Sequence, residues 1–135
     1  MLDGHVHKTL ATLRKDGSPR ISGTELNFKE GEIWLGSMLG ALKARDLQRD
    51  PRYSMHSGSD DPPGWKGDAK FSGLIEEISD EDAIARINGP EHAGRSHLFR
   101  CDIAEVSTVR LNDAGDALII ESWKPGKPVS RIERG

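Results

Sequence analysis

The residue types that do chemistry are thinly spread along this chain of 135 residues. His5 and His7 stand two apart near the start, a spacing that puts both on one face of a strand. No carboxylate or third histidine lies at ligand spacing from them, so no metal site is expected. Cys101 falls on the apolar phase of its segment and reads as a buried free thiol. No Gly-x-Ser-x-Gly elbow, Walker loop or Gly-x-Gly-x-x-Gly turn is present, which leaves a hydrolase or nucleotide kinase without support. What remains is Ser37 to Arg52, SMLGALKARDLQRDPR. Here a strand runs into a glycine turn and then a basic helix, whose free backbone N–H groups join Lys43 to make a phosphate cradle. The plain alternative is that such a helix simply shows a charged face to water.

The elements that must hold this cradle are mostly strands. Val6 to Leu13 is rich in β-formers and stops at Arg14-Lys15-Asp16-Gly17, an Asp-Gly turn signal. Arg20 to Phe28 follows, with Ile21, Gly23 and Glu25 on one face and Ser22, Thr24 and Leu26 on the other. A strand this polar on a buried side is often one that lines a ligand. Lys29-Glu30-Gly31 turns the chain into a third strand, Glu32 to Ser37, which completes an antiparallel meander. The period then changes: Leu39, Leu42 and Leu47, with Ala41 and Ala44, predict a helix from about Leu39 to Arg49, stopped by Pro51.

Arg52 to Ser57 predicts a short strand, Gly58 to Gly67 a loop, and Ala69 to Ile78 another strand. Ser79 is the expected N-cap of a helix over Ala83 to Ile87, with Asp82 three residues on. Leu98 to Leu111 reads as a long strand and Ala117 to Trp123 as the closing one. The tail from Lys124 holds Pro125-Gly126 and alternating charges. Six or seven strands with two short helices, and no internal repeat, predict one mainly β domain over residues 1–135, closed as a barrel.

Composition narrows the partners. The 19 Lys+Arg against 22 Asp+Glu leave a net charge of −3, with a pI near 5.9, whereas a nucleic-acid binder normally carries a basic excess. A single cysteine calls for no oxidising compartment. No run approaches a membrane span, and the start lacks the pattern of a signal peptide. The expectation is a cytoplasmic protein that binds neither nucleic acid nor membrane.

The segments HKTLATLRKDGSPRISG, IWLGS, LKARDLQRDPR, FSGLIEEISDED, LFRCDIAEVSTVRL and LIIESWKPG, in this order, resemble the pyridoxamine 5'-phosphate oxidase-like family. The resemblance covers nearly the whole chain and implies a six-stranded antiparallel split β-barrel of Greek-key type. It also implies a homodimer with the cofactor in the groove between subunits. Carried over by position, Lys43 would meet the cofactor phosphate, aided by Ser37, Met38, Ala41 and Leu42. Ser22, Gly23 and Thr24 would lie along the ring system, and Trp65, Lys70 or Trp123 are candidates to enter from the partner chain.

The chain also departs from that family's oxidases. Ala41-Leu42-Lys43 stands where they carry Ser-Arg-Lys, and Ser22 and Asn27 stand where they carry Arg and Lys. A substrate-binding C-terminal extension is not expected, a start shortened relative to the family is, and the vitamin B6 reaction is not. Three functions follow from the resemblance. The first is hydride transfer between FMN and a small organic substrate, in which the cofactor carries the chemistry. The second replaces FMN by the deazaflavin F420, favoured by the reduced phosphate clamp, although the acidic Ser59-Asp60-Asp61 loop would repel a polyanionic tail. The third is a non-catalytic module carrying flavin or haem, with His56 and His97 as the haem candidates.

Overall fold

A computed structural model describes residues 1–135. In chain order its elements are β1 (His7–Leu13), β2 (Pro19–Lys29), β3 (Glu32–Met38), α1 (Leu42–Arg49), β4 (Arg52–His56), β5 (Asp68–Glu77), α2 (Glu81–Asn88), a 3-10 turn (Pro90–His92), β6 (Ser96–Leu111), β7 (Leu118–Trp123) and β8 (Ser130–Arg134). The first six strands run in the order β3-β2-β1-β4-β5-β6, and β3 then pairs with β6 to close a six-stranded antiparallel barrel. This is the split-barrel architecture expected from the sequence.

Alternation along each strand sorts side chains between the barrel interior and the outside. Leu10 of β1, Tyr53 and Met55 of β4, Phe71 and Ile75 of β5, and Phe99 and Cys101 of β6 fill the interior, where Ala44 and Leu47 of α1 join them. The closing pair is apolar on both faces. Leu35 of β3 and Phe99 of β6 point into the barrel, whereas their neighbours Trp34 and Leu98 pack outside against Ala83, Ile84 and Ile87 of α2. Strands covered on both sides read as unbroken apolar runs, which is why IWL and LF stand at this closure.

β6 is long enough to serve three partners. Its N-terminal part pairs with β3, its middle with β5 and its C-terminal part with β7. A register shift at Ser72/Gly73 bends the β5–β6 ribbon, as an extra residue in one strand must.

The structure corrects four expectations. Closure comes from β3 meeting β6, and β7 extends outward from the second half of β6 rather than closing the barrel. The charged tail contributes an eighth strand, β8, paired antiparallel with β7. All five of its residues are exposed, so main-chain pairing, with Asn112 Nδ2 donating to Glu133 Oε1 at 3.1 Å, holds it and no apolar face announced it. α1 starts at Leu42 rather than Leu39, because the Ala41 N–H donates to the Met38 carbonyl across a turn in which Gly40 has φ +76°. α2 is capped by Asp80 rather than Ser79: its carboxylate accepts from the Asp82 N–H at 3.0 Å. A charged cap, with Glu81 and Asp82 in the first turn, suits the positive end of the helix better than a serine one residue earlier. No helix is long and apolar enough to cross a membrane.

Candidate cofactor and substrate site

β2, β3 and the start of α1 bring the sequence-predicted residues into one neighbourhood. Met38 ends β3, Leu39 and Gly40 make the turn, and Ala41 opens α1 with no side chain capping its free N–H groups. One turn into the contact, Lys43 reaches back across β2 and its Nζ donates to the Gly23 carbonyl oxygen at 3.1 Å. Partial burial pushes the Lys43 ammonium below its ordinary pKa, and no carboxylate offsets that burial. An ammonium held by one neutral oxygen is poised to accept an anion.

The other predicted residues divide by direction. Gly23 faces outward, and nothing lies within 4 Å of where a side chain would start, so β2 presents a flat open backbone there. Ser22 is half-buried, and Thr24 turns fully into the barrel, where its hydroxyl has no hydrogen-bond partner. Ser37 is buried and donates to the Met38 carbonyl oxygen at 3.3 Å, while Met38 is 79% exposed. Ala41 is half-buried and Leu42 stands out at 58% exposure. The structure therefore joins Gly23 with Lys43, and sets Ser37 and Met38 on the strand that leads to them.

Two clefts flank this centre. A basic one of about 620 Å³ lies between the β1–β2 turn and α1, lined by Arg14, Lys15, Arg20, Arg45 and Arg49 together with Asp16 and Asp46, with Leu42 at its edge. Its geometry depends on Asp46, which is 3% exposed and accepts from Arg20 Nε at 2.7 Å, Thr12 Oγ1 at 2.8 Å and Arg49 at 2.8 Å. Burial pushes the Asp46 carboxyl up, but the hydrogen bonds from Arg20, Thr12 and Arg49 outweigh it and hold it below the usual carboxylate range. Sequence reasoning missed these cations. Their signal was present as the basic hairpin turn and as Leu42, Arg45 and Arg49 recurring along one helix face.

The second cleft, about 350 Å³, has β3 as its floor at Gly36, Ser37 and Met38. Glu25 and Asn27 of β2 line it from one side, and Asn88, His92, Arg95 and Ser96 from the α2–β6 connection. Asn88 shapes it by donating from Nδ2 to Ser96 Oγ at 3.1 Å and to the His97 carbonyl at 3.3 Å. Its amide also fills the space beside Gly36 where a Cβ would stand.

The remaining candidates lie elsewhere or are already engaged. Lys70 lines a separate groove of about 210 Å³ with Ser54, Ser72 and Glu105, and Trp123 lies on β7 beyond the barrel. Trp65 donates to Asp68 at 3.1 Å. His56 Nδ1 lies 2.6 Å from the Ser57 carbonyl oxygen. His97 Nδ1 sits 2.8 Å from Glu77, and its Nε2 accepts from the Gly40 N–H at 3.4 Å, which ties the glycine turn to β5 and β6. Cys101 is buried as expected, and burial raises its thiol to about 12, which leaves it unreactive.

The model of the pyridoxamine 5'-phosphate oxidase family matches residues 2–110, which spans the whole barrel and both clefts. The chain belongs to that family. Solved structures share the family member's fold at low identity. A conserved hypothetical protein of Mycobacterium tuberculosis is 24% identical, with a TM-score of 0.68 over 78% of this chain and 77% of its own. A pyridoxamine 5'-phosphate oxidase-related, FMN binding protein of Nostoc punctiforme is 12% identical, with a TM-score of 0.68 over 96% and 87%. An F420 reductase is 19% identical, with a TM-score of 0.60 over 78% and 92%. No curated protein matches the chain. The family match and these structures agree on the pyridoxamine 5'-phosphate oxidase fold.

Where the family's oxidases are expected to carry Arg, this member has Leu42, yet the same helix brings Arg45 and Arg49 to the neighbouring cleft. The donor set therefore fits a phosphate-bearing flavin. Lys43 and the basic cleft would hold its anionic end, and the open backbone at Gly23 leaves room for a flat ring.

Proposed function

We propose that this protein binds FMN in a groove between two copies of the chain and transfers hydride between it and a small organic substrate. The observation that carries this reading is Lys43, partly buried, without a carboxylate partner, and bonded only to the Gly23 carbonyl, on the helix that also lines a cleft of net positive charge. Bound flavin would supply the hydride chemistry at its ring. The protein's own part is to bind and orient: Lys43 and the arginines neutralise the phosphate, the β2 backbone seats the ring, and the β3 cleft receives the substrate. Pairing of two chains has support in the apolar side chains exposed along this region, namely Ile21, Phe28, Met38, Leu39 and Leu42.

A second reading keeps the reaction and replaces FMN by F420. It is favoured by the basic cleft, where five cations less Asp16 and Asp46 leave an excess of three positive charges against the roughly two negative charges of one phosphate. Parallel titrations of the purified protein with FMN and with F420, followed by fluorescence, test both. Micromolar binding of one and not the other names the cofactor. Binding of neither overturns both readings and leaves a barrel that serves as a non-catalytic module.

A further inference from the structure

The turn that opens α1 packs on little. Met38 is 79% exposed and Leu39 56%, and Gly40 is exposed as well. Within the turn the Ala41 N–H donates to the Met38 carbonyl at 3.2 Å, and no side chain caps the helix that follows. Gly40 is tied to the barrel through its N–H, which donates to His97 Nε2 at 3.4 Å. That contact fixes the histidine's tautomer. A main-chain N–H can only donate, so Nε2 carries no proton, and the proton of the neutral ring sits on Nδ1, which donates to Glu77 at 2.8 Å. Glu77 also accepts from Gln48 Nε2 at 2.9 Å. One His–Glu pair therefore holds α1 both at the turn before it and in its last turn.

The ring is the firmly held side of this contact. His97 pairs with Ser37 in the β3–β6 ladder, its ring centre lies 5.9 Å from that of the buried Phe99, and its carbonyl accepts from Asn88 Nδ2. The charged groups facing it are Glu77 from β5 and Arg45 from α1, whose guanidinium lies beside Gly40. His92 and Arg95 of the α2–β6 connection border the neighbouring cleft.

We propose that His97 is a proton-operated latch on the glycine turn, closed while the ring is neutral and open once Nε2 takes a proton. An imidazolium donates from both nitrogens. Nδ1 keeps Glu77, but Nε2–H then faces the Gly40 N–H, and two donors replace a donor and an acceptor. The turn gives way rather than the ring, because Gly40 at φ +76° has the backbone freedom to move and the ring is held by β3, Phe99 and Glu77. Lys43 stands three residues further on, so the latch sets where the head of α1, and with it that ammonium, comes to rest. The device belongs to the chain itself and goes beyond the cofactor reading.

The test is a nuclear magnetic resonance titration of the isotope-labelled full chain, without added flavin, from pH 8 to pH 5, the interval in which histidines ordinarily change charge. The His97 ring and the amides of Gly40, Leu42 and Lys43 should shift in one step with a common midpoint. Exchange of the Gly40 amide with water, corrected for its intrinsic pH dependence, should rise about threefold or more across that step, as loss of a weak hydrogen bond requires. His97→Asn keeps a donor towards Glu77 but lacks the atom that reaches Gly40, so the step at Gly40 should vanish. His56→Asn, on β4, should leave it in place. The latch is overturned by a His97 ring that keeps one charge throughout, or that titrates while Gly40 stays still. A Gly40 step that survives in His97→Asn overturns it too, and a step that leaves Leu42 and Lys43 unmoved overturns its reach into α1. If His97→Asn does not fold, the midpoints in the parent protein decide. With no flavin present, failure of the latch leaves the FMN reading standing.

Discussion

Lys43 Nζ donates to the Gly23 carbonyl oxygen at 3.1 Å, which couples the first turn of α1 to the middle of β2. The bond joins a charged donor to a neutral acceptor in a partly buried setting, and burial alone lowers the pKa of the amine. An arriving phosphate would replace that acceptor with a charged one and recover part of the lost solvation.

Lys43→Ala should weaken FMN binding by at least about 1.5 kcal/mol, close to tenfold in dissociation constant. Lys70→Ala, in the separate groove on β4–β6, should leave it unchanged. Fluorescence titration of both variants decides the matter, and the reverse pattern would move the cofactor to the other face of the barrel.

Arg45→Glu should separate the two cofactors. Arg45 lines the basic cleft without an ion-pair partner, so reversing its charge should cost a ligand with a longer anionic tail more than one with a single phosphate. The loss for F420 should exceed the loss for FMN, and raising the salt concentration should narrow the difference. Equal losses for both would show that the cleft sees only the phosphate.

Asp46→Asn should lower the stability of the fold by about 2–3 kcal/mol, since it removes the acceptor shared by Thr12, Arg20 and Arg49 and leaves two guanidinium groups facing a neutral amide. Urea unfolding followed by far-ultraviolet circular dichroism measures it. A change under half a kilocalorie would mean that apolar contacts alone hold α1.

The same carboxyl predicts an acid limb. Its pKa is lower in the folded protein than in the unfolded chain, so the stability it contributes is fully present above the unfolded value, about pH 4, and is lost as pH falls through the folded value. Stability profiles measured from pH 6 to pH 2 should therefore fall less steeply for Asp46→Asn than for the parent protein.

Gly73→Ala should disrupt the β5–β6 ribbon at its bulge, because a Cβ there would stand 2.0 Å from the backbone oxygen of Asp102. That oxygen is main chain and also accepts from the Tyr53 hydroxyl at 3.1 Å, so it has little room to retreat. A loss of about 3 kcal/mol or more in urea unfolding is expected.

Local signals in the sequence were enough to locate most elements. Alternation and turn dipeptides placed β1 to β6 to within about two residues, since in-and-out periodicity and glycine turns are properties of short segments. Lys43 was legible for a similar reason: a glycine turn before a basic helix is written in adjacent residues. β8 was not legible, because a strand exposed on both faces leaves no apolar pattern to read.

By itself, then, the chain's order of residues determined seven of the eight strands, the two helices, the family and the lysine at the head of α1. Tertiary structure alone decided that β3 would close on β6, with Trp34 and Leu98 buried beneath α2, and that β7 would stand outside the barrel. It also gathered Arg14 and Lys15 with Arg45 and Arg49 around a buried Asp46, and set His97 between Glu77 and Gly40. Each of these sites draws on residues about thirty or more positions apart. Chain connectivity places no charge beside another at that range; only the register of the closed sheet, held by a core packed on both faces of its closing strands, does so.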